Sequence, residues 1–242
     1  MIFAILSDIH GNMEALEAVF KHAERHPIDR FLCLGDIVGY GANPKECLNR
    51  IKSFEDIVCA GNHDHAVTEL TDTSYFNPYA RKAVHWTISQ LDEEDIAYIN
   101  SLPYIYEEDT FYTVHANLAK PELWGYIFDD FDASTNFFIM KKNICFIGHS
   151  HVPLAFEKKE DIIKPHYGAE KILIDENCKY IVNVGSVGQP RDGDPRASYC
   201  IMDTEAKTIV WHRVIYDVAK AQKKIINAGL PSFLADRLAM GR

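Results

Sequence analysis

The chain has 242 residues and a formal net charge of −10, from 25 basic and 35 acidic residues, so a free polyanion meets net repulsion and broad nucleic-acid binding is excluded. Its length suits one large α/β domain with a substantial core, and 47% hydrophobic with 25% charged residues excludes a disordered or fibrous chain. No apolar stretch approaches the roughly 20 residues that a membrane helix needs, which excludes a helical span.

Residues 2–7 form a continuous apolar run, the pattern of a strand covered on both faces. A helix is predicted from Met13 to Arg25, with Met13, Leu16, Val19, Phe20 and Ala23 on one face and Asn12 as its cap. Phe31 to Leu34 reads as a second strand. Pro44 to Ser53 reads as a second helix, with Asn43 as cap and Pro44 at its first position. Ile57 to Ala60 reads as a third strand. This β-α-β-α-β opening implies a parallel sheet with right-handed crossovers.

Residues 66–102 read as helical, with segments at Pro78–Gln90 and Asp92–Ser101. Strands are predicted at 104–107 and 110–114, joined as a hairpin through Glu108 and Asp109. A helix follows at 132–141 and a strand at 144–147. From 153 to 215 the pattern is mostly β, with runs at 154–157, 171–174, 180–184, 198–203 and 208–215. Helical patterns at 217–228 and 231–239 end the chain. Without repeats or a long linker, residues 1–242 read as a single domain of two sheets, each covered by helices. The helical stretch 66–102 is a lid or a dimer surface, and the pattern does not choose between them.

The six cysteines include no CxxC pair, and four of them (Cys33, Cys59, Cys145 and Cys200) lie in or beside apolar runs. Reduced thiols, with no basic n-region or cleavage site before the first strand, point to the cytoplasm.

Five apolar runs end directly in metal-capable residues: Leu6 leads to Asp8 and His10, Leu34 to Asp36, Ala60 to Asn62, Val114 to His115, and Ile147 to His149 and His151. In parallel α/β sheets, sites form outside the carboxyl ends of strands. In extended chain the pairs Asp8/His10 and His149/His151 would each point to one side. Oxygen and nitrogen donors without thiolate suit manganese, iron or zinc. Two such ions roughly 3.5–4 Å apart would clamp the attacking and leaving oxygens of a phosphoryl displacement. Against two divalent ions, the carboxylates of Asp8 and Asp36 leave the site positive, which attracts phosphate to an otherwise acidic protein.

The order D-x-H, G-D, G-N-H-D, H and G-H-x-H, carried by residues 7–151, resembles the calcineurin-like metallophosphoesterase superfamily. The segment Asn183–Arg191 is similar to its small bacterial and archaeal phosphodiesterase-like branch. The resemblance implies a four-layer α/β/β/α sandwich of two mixed sheets flanked by helices. It implies that Asp8, His10, Asp36 and His151 hold one metal ion and that Asp36, Asn62, His115 and His149 hold the other. It also implies that His63 stabilises or protonates the leaving oxygen, with Asp64 either orienting that imidazole or capping a helix. The implied activity is metal-dependent hydrolysis of a phosphodiester or nucleotide-type substrate by in-line attack of a metal-bound hydroxide, with manganese and/or iron, or zinc, as cofactor. The alternatives are a protein or small-molecule phosphomonoesterase and a non-catalytic scaffold of the same fold.

Two positions depart from the family pattern. Related phosphatases carry an arginine shortly after the second motif, where this chain has Gly39-Tyr40-Gly41. The fourth motif reads His115-Ala116 rather than His-Gly, which would strain the loop if that position needed a positive φ. For the substrate, Arg191 is the candidate phosphate-binding cation, its alternative being a pair with a neighbouring aspartate that fixes the loop. Tyr40 is a candidate substrate contact, and Trp124, Tyr126, Phe128 and Phe131 are candidates for stacking a nucleobase. His22, His26, His85, His166 and His212 lie outside the motifs and read as surface or structural. The expected partner is a small phosphorylated molecule, with no stable nucleic-acid or membrane binding, and a homo-oligomer stays open.

Overall fold

The computed structural model describes residues 1–54, 57–168 and 170–242. Among these residues the strands are, in chain order, β1 (Ile2–Leu6), β2 (Arg30–Cys33), β3 (Ile57–Val58), β4 (Ile105–Glu107), β5 (Phe111–Val114), β6 (Ile144–Ile147), β7 (Leu154–Lys159), β8 (Ile162–Tyr167), β9 (Lys171–Leu173), β10 (Lys179–Asn183), β11 (Ala197–Asp203) and β12 (Thr208–Val214). The α-helices are α1 (Met13–Ala23), α2 (Pro44–Lys52), α3 (Asn62–Val67), α4 (Pro78–Ile88), α5 (Glu93–Ser101), α6 (Asp130–Ile139), α7 (Val218–Asn227) and α8 (Ser232–Asp236).

The strands form two mixed sheets. The first runs β3-β2-β1-β11-β12-β9 and the second β4-β5-β6-β10-β7-β8. In the first, β1, β2 and β3 are parallel, while β11 lies antiparallel against β1. In the second, β5, β6 and β10 are parallel. Both sheets therefore present parallel carboxyl ends, and these are the ends that carry the motifs.

Side-chain alternation builds the layers. Phe3 and Ile5 of β1 enter a core with Phe111, Phe146, Tyr180, Val182 and Trp211, which lies between the sheets. Ala4 and Leu6 face the other way, toward Leu16, Val19 and Phe20 of α1 and buried residues of α2, α4 and α7. On the second sheet, Tyr112, Val114, Cys145 and Ile147 turn outward onto Ala133 and Phe137 of α6. The result is an α/β/β/α sandwich. Asn12 caps α1, its side chain accepting from the N–H of Ala15.

The structure departs from the pattern in two elements. Strand β8 went unread because its side chains are mostly exposed and Pro165 interrupts it. It is an edge strand, where a residue without an N–H is tolerated. Helix α3 starts at Asn62, not at 66, because the third motif is itself a helix N-terminus: Asp64 accepts from the N–H of Gly61 at 3.0 Å. All six cysteines are buried and unpaired. Among the described residues no helix is long and apolar enough to cross a membrane.

Candidate metal centre

The loops leaving β1 and β2 run side by side beyond the strand ends. The N–H of Asp8 donates to Gly35 O at 3.0 Å and that of His10 to Asp36 O at 2.9 Å. The loops leaving β5 and β6 are joined in the same way, Gly148 N–H donating to His115 O at 2.8 Å. The two loop pairs meet where the N–H of His149 donates to Asp8 Oδ2 at 3.0 Å. Asp8, His10, Asp36, Asn62, His115, His149 and His151 are thereby buried together at one end of both sheets.

The extended-pair expectation is corrected. Asp8, His10, Asp36, His149 and His151 all have left-handed backbones, with φ of 55°, 49°, 53°, 65° and 61°. Extended pairs would carry the chain past the strand ends, whereas left-handed residues turn it back over them. Such conformations cost on the order of 1–3 kcal/mol each and persist only where neighbouring hydrogen bonds over-determine them, as the cross-loop bonds do here. Tyr40 shares this conformation, at 57°. Ala116 does not have a positive φ, so the missing glycine of the fourth motif introduces no strain.

Ring hydrogen bonds fix how the imidazoles face. His10 Nδ1 donates to Val38 O at 3.2 Å, His151 Nδ1 to Gln189 O at 2.6 Å, and His115 Nδ1 to Leu34 O at 2.9 Å. Each proton on Nδ1 leaves Nε2 as a bare lone pair. Yet His10 Nε2 and His151 Nε2 lie 3.1 Å apart, and His115 Nε2 lies 3.2 Å from His149 Nδ1. The His10 and His151 nitrogens are both bare, and at that separation they repel each other unless a cation lies between them. Asp8 Oδ1 is buried without a hydrogen-bond partner, 3.2 Å from His151 Nε2. Asp36 Oδ2 lies 3.5 Å from His10 Nε2 and 3.4 Å from His115 Nε2. Asn62 Oδ1 is 3.3 Å from His115 Nε2.

These donor atoms divide into two groups, each within 4.8 Å internally: Asp8, His10, Asp36 and His151, and Asp36, His115 and His149. Asp36 is common to both. The donors fit two divalent ions in number, chemistry and orientation. The electrostatics agree. Burial, the largest effect on His115, disfavours its charge, but Asp36 and Asp8 outweigh it and carry the ring up to about 9. Burial also raises Asp36, yet His115, His63 and His10 hold it well below the usual carboxylate range. Burial, by contrast, lowers His10, His149 and His151, which keeps those rings unprotonated beside the carboxylates.

Asp64 caps a helix. Its Oδ1 accepts from Ile37 and Val38 N–H at 3.0 and 3.2 Å and its Oδ2 from Gly61 N–H, and it makes no bond to the His63 ring. It ties the Asp36 loop to α3, which corrects the reading of Asp64 as the group that orients His63. His63 donates its backbone N–H to Asp36 Oδ1 at 2.8 Å, and its ring is packed between those of Tyr40 and Phe76.

The Arg–Asp alternative for Arg191 is not realised: Asp192 pairs with Arg213 and Asp194 with Arg196. Among the described residues Arg191 has no carboxylate partner. Its Nη2 donates to Gln189 Oε1 at 2.8 Å, and its guanidinium carbon lies 5.8 Å from the Tyr40 ring centre. Arg191, Tyr40 and His63, with Asp36, Asn62, His149 and His151, line a cleft of about 360 Å³. Thr71, Asp72, Tyr75 and Phe76 form one wall of it, so part of the 66–102 stretch borders the centre. Trp124 and Tyr126 also line it. Tyr126 stacks on His149 with ring centres 4.1 Å apart, and Phe128 stacks on its other side. Phe131 is 81% exposed and is not among the lining residues.

Sequence reasoning missed the support for these loops. Ser186 Oγ donates to Asp8 O at 2.8 Å, and the N–H groups of Val187 and Gly188 donate to Ser7 O and Asp8 O, both at 2.9 Å. Asn183 Nδ2 donates to Gly148 O and Ser150 Oγ. The Asn183–Arg191 segment thus buttresses both loop pairs. Its small polar residues after a strand were the available signal.

Gly61 leaves room for Asp36. A Cβ there would overlap Asp36 Oδ1 and lie 2.7 Å from its Cγ, although the backbone, at φ −104°, suits any residue. Gly61→Ala should therefore act by sterics alone. It should destabilise by about 1–3 kcal/mol, as overpacking does, and weaken metal binding through the displaced Asp36. Thermal melts and a metal titration check both effects.

A family model described as the calcineurin-like phosphoesterase superfamily domain matches residues 1–207. An uncharacterized protein of Methanocaldococcus jannaschii is 42% identical over 246 residues, spanning 100% of this chain and 98% of the relative. A crystal structure of a metallophosphoesterase from Sphaerobacter thermophilus superposes with a TM-score of 0.87 at 40% identity, covering 100% of both chains. A hypothetical protein from Pyrococcus horikoshii shares the fold, with a TM-score of 0.81 at 20% identity over 100% of this chain and 98% of the other.

Proposed function

The chain belongs to the calcineurin-like phosphoesterase superfamily, and on that premise we propose that it hydrolyses a phosphodiester or nucleotide-type substrate at a centre for two divalent metal ions. The observation that carries this reading is the pair of donor groups sharing Asp36, with the bare ring nitrogens of His10 and His151 facing one another at 3.1 Å. In this reading Asp8, His10, Asp36 and His151 hold one ion, and Asp36, Asn62, His115 and His149 hold the other. Manganese and/or iron, or zinc, suit these oxygen and nitrogen donors. Such ions supply Lewis acidity toward phosphoryl oxygens and lower the pKa of water.

The chain's own residues do the rest. His63 lies within the cleft, positioned by its backbone bond to Asp36 and by Tyr40, to stabilise or protonate the leaving oxygen. Arg191 binds the phosphoryl group. Related phosphatases carry their arginine beside the second motif, whereas here a cation from the loop after β10 stands over Tyr40. Gln189 holds that guanidinium in place. Trp124 and Tyr126 supply the apolar wall against which the rest of a nucleotide-type substrate rests. Six buried, unpaired thiols support a cytoplasmic setting.

Purified protein reconstituted with Mn²⁺ should hydrolyse bis-p-nitrophenyl phosphate and lose that activity with a chelator. No turnover of any diester at saturating Mn²⁺, Fe²⁺ or Zn²⁺ would overturn the reading. Arg191→Gln removes charge-assisted hydrogen bonds worth about 1.5–3 kcal/mol, so KM should rise roughly 10- to 100-fold with kcat less affected. Steady-state kinetics on the same substrate check this.

A further inference from the structure

We propose a second metal site, for a zinc-class divalent cation, formed by His22, His26 and His212 on the helix-covered face of the first sheet. It is separate from the centre described above. The catalytic loops meet α1 at its N-terminus, whereas His22 lies in the last turn of α1 and His26 just beyond it. An 11-residue helix puts these two ends about 16 Å apart.

His22 and His26 lie four residues apart, and the fold brings the remote His212 to them. Tyr199 of β11 and His212 of β12 are directly opposite in the antiparallel ladder, and α1 packs its C-terminal turn over that pair. One ring nitrogen from each histidine lies within 4.8 Å of the other two. Ring centres are 5.4 Å apart for His22 and His26, 5.2 Å for His22 and His212, and 5.0 Å for His26 and His212. No carboxylate joins the group. Three imidazoles converging without an anion repel when protonated, and neutral imidazoles suit a borderline cation.

Hydrogen bonding supports the same conclusion. His22 Nδ1 is 2.8 Å from the hydroxyl of the buried Tyr199, a contact that orients the ring and leaves Nε2 for a ligand bond. Among the described residues the rings of His26 and His212 have no hydrogen-bond partners, although both residues are partly buried. Three imidazole donors leave a fourth tetrahedral position for water. A cation there would clasp α1 to β12. Zinc, nickel or copper would be preferred to magnesium or calcium, which take oxygen donors.

The test compares zinc content in the full chain after loading with excess Zn²⁺ and desalting, for wild type, His212→Gln and His26→Gln. Both variants should hold one zinc fewer per chain, while Mn²⁺-supported turnover of bis-p-nitrophenyl phosphate stays at the wild-type level. With Mn²⁺ saturating, added Zn²⁺ should raise the melting temperature of wild type by a few degrees and that of the variants by less. His26 lies just beyond α1 and outside the sheet, so its variant keeps the test decisive if His212→Gln folds poorly. Equal zinc content in wild type and His26→Gln would overturn the proposal.

Discussion

Asp36→Asn should lower turnover of bis-p-nitrophenyl phosphate by at least roughly 10³-fold, which corresponds to about 4 kcal/mol of transition-state stabilisation. Asp36 is the one residue common to both donor groups. Its Oδ2 lies between His10 and His115, at 3.5 and 3.4 Å, while its Oδ1 accepts from the N–H of His63. The amide keeps the shape and removes the charge. That weakens the hold on both ions at once, and each ion is worth several kcal/mol to a phosphoryl displacement. Metal content should fall along with kcat. Thermal melts of the variant separate this from unfolding, because an isosteric change at a hydrogen-bonded position leaves packing intact. Full turnover with full metal content in Asp36→Asn would remove the shared-ligand assignment.

His63→Asn should have the second largest effect, a loss of roughly 10²–10⁴ in kcat, the usual range for a general acid or base. Its signature differs from that of Asp36→Asn. The link to Asp36 runs through the backbone N–H, which asparagine retains, so metal content should not change. The loss should be large for a diester with an alkoxide leaving group and small for p-nitrophenolate, which departs without a proton. Equal losses on both substrates would assign His63 to positioning rather than to the leaving group.

Much of this was legible in the residues. The parallel half of the first sheet could be read because β1 and β2 are short apolar runs separated by amphipathic helices with Asn12 and Pro44 at their starts. The seven donor residues could be read because each follows such a run. Three features could not. Edge strand β8 carries no apolar alternation because none of its residues is buried on either face. The left-handed turns at Asp8, His10, Asp36, His149 and His151 could not be read, since residues other than glycine occupy them and cross-loop hydrogen bonds hold them. Asp64 next to His63 suggested a catalytic pair, but in a helical turn its carboxylate points back to the chain it caps. The His22, His26 and His212 cluster was invisible for another reason: His22 and His26 are only two donors, and the third, His212, is far from them in sequence.

The buttress behind Asp8 has a consequence for the order in which the protein comes together as it is synthesised. Every donor residue has left the ribosome once His151 has, yet the backbone that holds the Asp8 loop comes from Ser186, Val187 and Gly188. The antiparallel neighbour of β1 is β11, which ends at Asp203. A nascent chain paused after His151 would hold all seven donors without the scaffold that keeps their left-handed turns. On the proposed function, tight metal capture would therefore belong to the last stage of folding, after the chain has been completed at least through β11.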